Sequence, residues 1–68
     1  LDKNSIACES KYDVGDIVEY SKNNYLVTNI VKGTISGPYN CYHMMRLGTS
    51  IVHTWFTIDV DFNSRLVA

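Results

Sequence analysis

The chain is poor in the residues that would narrow its chemistry. Only two of its 68 residues are cysteine and one is proline, and six basic residues face seven acidic ones. Near-neutrality excludes the strong positive field that holds proteins on phosphate backbones or anionic lipid. Apolar runs stay far short of the ~20 residues needed to cross a bilayer, and the start, Leu1-Asp2-Lys3-Asn4-Ser5, lacks the apolar core of a signal peptide. A cytoplasmic protein with no membrane association is therefore expected. Cys8 and Cys41 could make one bridge, but their spacing matches neither a secreted framework nor a CxxC site, so both read as free thiols. No stretch holds helical periodicity over an 11-residue window, and there are no heptads, repeats or low-complexity runs.

What the sequence does have is short, β-branched and aromatic segments separated by turn residues. Leu1 to Lys11 reads as an arm, mobile or added as an edge strand, with Ile6, Ala7 and Cys8 its apolar island. Val14-Gly15-Asp16 then opens a first strand at Ile17 to Tyr20; glycine relieves an unusual backbone angle, and aspartate accepts bonds from nearby N–H groups. Ser21 to Asn24 is a turn by composition, and Tyr25 to Lys32 is the second strand. Tyr25 and Val27 fall on one face but Ile30 on the other, so a bulge near Thr28-Asn29 is predicted, returning all three to one core. The segment from Gly33 to Pro38 is a loop. Tyr39 to Leu47 is the third strand, with Tyr42 and Met44 on one face, and Ser50 to Phe56 is the fourth after the Gly48-Thr49 turn. Thr57 to Asn63 suits one 3₁₀ turn with Val60 or Phe62 as a plug, before a closing strand from Arg65 to Ala68.

Five short strands in 68 residues favour an all-β, five-stranded antiparallel barrel over a sandwich, which needs more chain. With Val14-Gly15-Asp16-Ile17-Val18, Tyr25-x-Val27 and the turn from Asp59 to Asn63 before Leu66-Val67, the chain resembles the SH3-like small barrels of Tudor and KOW modules over residues 12–68. That resemblance implies a non-enzymatic binding module. The chain departs from the KOW glycine pattern at Ser21 to Asn24 and has no Tudor aspartate-tyrosine-glycine signature. In style it is also similar to accessory proteins of bacteriophages and mobile elements, which bind a host protein or a nucleic acid. In size and Gly-Asp entry it resembles the barrel-type plasmid dihydrofolate reductase, whose Val-Gln-Ile-Tyr active strand has no counterpart here.

Candidate sites follow from the side chains left over. His43 and His53, near-opposite across Gly48, are two ligands where zinc wants three or four, so no metal and no cofactor is expected. Cys41 and His43 share a strand face, but no elbow or oxyanion nest accompanies them, so no enzyme is expected. Asp59 and Asp61 read as solvated carboxylates in a polar turn. Eight aromatic residues exceed the three or four rings that so small a core holds at about 150–250 Å² each. Those near strand ends, Tyr20, Tyr25, Tyr39 and Trp55, are the predicted partner-binding set, together with sheet edges. A protein partner is the first expectation, and homo-oligomerisation is open to a domain whose core supplies only about 3–5 kcal/mol. The alternative is nucleic-acid binding, with the same rings stacking on bases and Lys22, Lys32 and Arg46 contacting phosphate.

Overall fold

The computed structural model describes residues 10–68. They form β1 (Ile17–Tyr20), β2 (Asn23–Val31), β3 (Cys41–Arg46), β4 (Val52–Phe56), α1 (Thr57–Phe62) and β5 (Ser64–Leu66). The strands make one antiparallel sheet in the order β4-β3-β2-β1-β5, so β4 and β5 are its edges and the sheet is not closed. It nevertheless curls: the ring of Tyr20 on β1 lies 4.9 Å from that of Trp55 on β4, with β2 and β3 between them in strand order. No helix among the described residues is long and apolar enough to cross a membrane. Of the expected arm, only Ser10 and Lys11 are described; Ile6, Ala7 and Cys8 lie outside the described residues.

Local chemistry explains the entry to the sheet. Asp16 N–H donates to the Asp13 carbonyl at 3.1 Å, and the Asp16 carboxylate accepts the Asp13 N–H at 3.0 Å. Gly15 sits at φ 100°, where a side chain would be strained. Its N–H donates to the Val27 carbonyl, while the Val27 N–H donates to the Asp16 carbonyl, each at 2.9 Å. Two residues thus oppose one, the bonding of a glycine bulge, which turns the incoming chain into β1. The following hairpin is tighter than composition suggested. Tyr20 pairs with Asn23, leaving Ser21 (φ 54°) and Lys22 (φ 70°) as a two-residue loop with both residues left-handed, the geometry that suits the right-handed strand twist. Asn23 and Asn24 are already part of β2.

The second bulge falls where the phase of the sequence demanded it. The β2–β3 register shifts between Val27 and Asn29, with Val27 opposite Met44 and Ile30 opposite Tyr42. Tyr25 and Val27 are buried and Ile30 packs against them. The core is completed by Tyr12, Val18, Tyr42, Met44 and Val60, and burying an aliphatic or Met side chain of this kind is worth about 1.5–3 kcal/mol.

The connection before the last strand is an α-helix of six residues rather than a 3₁₀ turn. Asp59 in its first turn suits the positive end of the helix dipole. Asn63 ends it, its backbone N–H bonding the carbonyls of Asp59 and Val60 and its side-chain amide donating to Asp59 at 2.9 Å. Val60 is the plug, fully buried, whereas Phe62 points to solvent.

Candidate interaction surface

Alternation divides the strands into an inner face, which carries the core, and a more exposed outer face, flanked at one end by the loop before β3. On the inner face a polar clasp binds α1 and the incoming segment to the sheet. The Tyr42 hydroxyl donates to Asp61 Oδ1 at 2.6 Å and accepts the Tyr12 N–H at 3.0 Å. Asp61 Oδ2 accepts the Lys11 N–H at 3.2 Å, and the Tyr12 and Ser64 hydroxyls lie 2.8 Å apart, with Ser64 also donating to the Val60 carbonyl. Burial, and then the hydrogen bond to Asp61, push the Tyr42 hydroxyl well above the ordinary tyrosine range. Asp61 is therefore a partner in the clasp and not the solvated carboxylate that its neighbours in sequence suggested.

Three of the four predicted contact rings belong to this inner side. Tyr25 is a core residue, 4% exposed, and Tyr20 and Trp55 are half-buried against the core. Trp55 meets Tyr25 edge-on at 5.0 Å and stacks on His53 at 4.6 Å, with the planes 4° apart. Curling of the sheet brings these rings together, so their position near strand ends in sequence did not put Tyr25 at the surface. Tyr39 differs: it is 66% exposed.

Tyr39 stands beside Phe56, with ring centroids 5.5 Å apart, over an open groove of about 520 Å³. Val31, Cys41 and Phe56 form one wall, in register across β2, β3 and β4, and Lys32, Thr34, Ser36, Gly37 and Pro38 form the other. Gly33 fixes the loop that makes this second wall, since a Cβ there would fall 2.4 Å from the Pro38 carbonyl. The Gly33 N–H donates to Asn40 Oδ1 at 2.7 Å, and the Thr34 N–H bonds the Gly37 carbonyl at 2.7 Å. Ile35 is fully exposed at the tip. Phe56 and the loop were missed from sequence; the signal available was the phase of β4, which puts Phe56 opposite in facing to Trp55.

The basic trio does not converge. Arg46 pairs with Tyr25 and so lies at the Lys22 end of β2, whereas Lys32 follows its other end, roughly 23 Å along the strand at about 3.3 Å per residue. The two histidines also separate, because His53 pairs with Met44 and His43 with Thr54, which puts them on opposite faces. Among the described residues no three His, Cys, Asp or Glu side chains gather in a way that could hold a metal ion. Cys41 is a free thiol on the groove wall, and Cys8 lies outside the described residues. No family model, curated protein or solved structure matches this chain.

Proposed function

We propose that the chain is a non-enzymatic interaction module of SH3-like barrel type that binds a protein partner through the Tyr39–Phe56 groove. The strand order, the short helix before the last strand and the curl that brings Tyr20 of β1 to Trp55 of β4 support the barrel reading. The observation that carries the function is the groove itself. It is an apolar, aromatic-walled surface beside a loop with a fully exposed isoleucine at its tip, and aromatic anchors in grooves are the residues on which protein recognition depends. The separation of Lys22 and Arg46 from Lys32 weighs against nucleic acid, whose backbone needs cations along one track.

Affinity capture from the source cells, with and without nuclease, tests this. A protein retained after nuclease and lost on combining Tyr39→Ala with Phe56→Ala is the expected result. Retention by that double variant, or capture that nuclease abolishes, would overturn the proposal, the latter in favour of a nucleic-acid ligand.

A further inference from the structure

The two edges of the open sheet are not alike. β5 is three residues long and carries Arg65, whose guanidinium pairs with Glu19 at 2.5 Å; short, charged edges of this kind resist pairing. β4 is Val52-His53-Thr54-Trp55-Phe56, with no proline, lysine, arginine or carboxylate. Bonds from Arg46 N–H to Ile51 and from Thr57 N–H to Asn40 mark which β4 positions face β3. By antiparallel alternation, the backbone groups of Val52, Thr54 and Phe56 point away from it, to the open side.

We infer that β4 pairs with β4 of a second copy, antiparallel, about a two-fold axis through Thr54. This register matches all three outward-bonding residues, placing Thr54 opposite Thr54 and Val52 opposite Phe56 of the other copy, whereas a shift by two residues in either direction leaves one unmatched or runs into α1. It also closes exposed apolar surface on itself. On the outer face the row Leu26-Met45-Val52 of one copy continues into the row Phe56-Cys41-Val31 of the other. Charge agrees: the end bearing exposed Arg46 meets the start of α1, which bears Asp59. The pairing shares Phe56 with the proposed partner site, whereas Thr54, on its axis, does not line the groove.

Sedimentation velocity over about a hundredfold concentration range is the first test, with a reversible monomer–dimer equilibrium expected. Thr54→Lys puts like charges opposite one another at the axis and should weaken the dimer by about fivefold. It should leave the circular dichroism unchanged, since Thr54 is exposed. In a background with Cys8→Ser and Cys41→Ser, Thr54→Cys should oxidise to a cross-linked dimer. Val52→Cys should not, because it faces Phe56 of the other copy. A wild-type chain that stays monomeric throughout, a dimer indifferent to Thr54→Lys, larger aggregates in place of a dimer, or cross-linking by Val52→Cys in preference to Thr54→Cys would each overturn the inference. Tyr39→Ala should leave the dimer intact, so failure here and failure of the groove reading are told apart.

Discussion

The inner and outer faces of the sheet are built from alternate residues of the same strands, yet they have opposite fates. Inward, Val18, Tyr25, Val27, Tyr42 and Met44 are buried in one cluster with Val60 of α1 and Tyr12, and the clasp around Tyr42 and Asp61 ties α1 and Tyr12 to the sheet. Outward, Val31, Val52 and Phe56 remain exposed. Apolar content alone therefore does not say which face folds the protein. The face that receives α1 becomes the core, and the other stays exposed among the described residues.

Paired truncations break this contrast most sharply. Met44→Ala should cost about 2–5 kcal/mol, enough to unfold most of a domain with only about 3–5 kcal/mol in hand. Val31→Thr, by comparison, should move stability by about 0.5 kcal/mol or less. Urea titration of the two variants checks it, and equal losses would mean that the outer face is also a core. Next, Gly33→Ala forces the chain off the Pro38 carbonyl, so a loss of about 1–3 kcal/mol is expected, the range for core overpacking. The loop should open while the inner core persists. Hydrogen exchange should show the change at Thr34 and Asn40 and not at Val18 or Val27.

The smallest effect is alkaline. Tyr42 is held protonated in the folded state above its ordinary value, so its contribution is fully present below about pH 10 and is lost as pH rises above that, by at most about 1.4 kcal/mol per pH unit. Thermal melts from pH 9 upward should show Tm falling more steeply for the wild type than for Tyr42→Phe, whose starting Tm is lower because Asp61 loses its donor. Parallel slopes would place the alkaline sensitivity elsewhere.

Much of the inner face was legible before any coordinates. The bulge after Val27 followed from Ile30 falling out of phase, and parity put Tyr42 and Met44 together on one face of β3 without showing that this face is the buried one. The candidate groove was legible only at Tyr39 and Lys32. Tyr25 and Trp55 sit at strand positions that look peripheral along the chain, and curling of the sheet is what gathers them inward. Lys22, Lys32 and Arg46 looked like neighbours because the length of β2 was not counted as a distance.

By itself the sequence determined strand number, turn positions and which parity of each strand is the more apolar, because these depend on side-chain alternation and on residues such as Gly15 with special backbone freedom. Only the tertiary structure decided which face the helix covers, that Asp61 reaches back to Tyr42, and that β4 is left as an uncharged edge. Those outcomes depend on the curl of the sheet and on contacts between residues far apart in the chain, and neither leaves a local pattern to read.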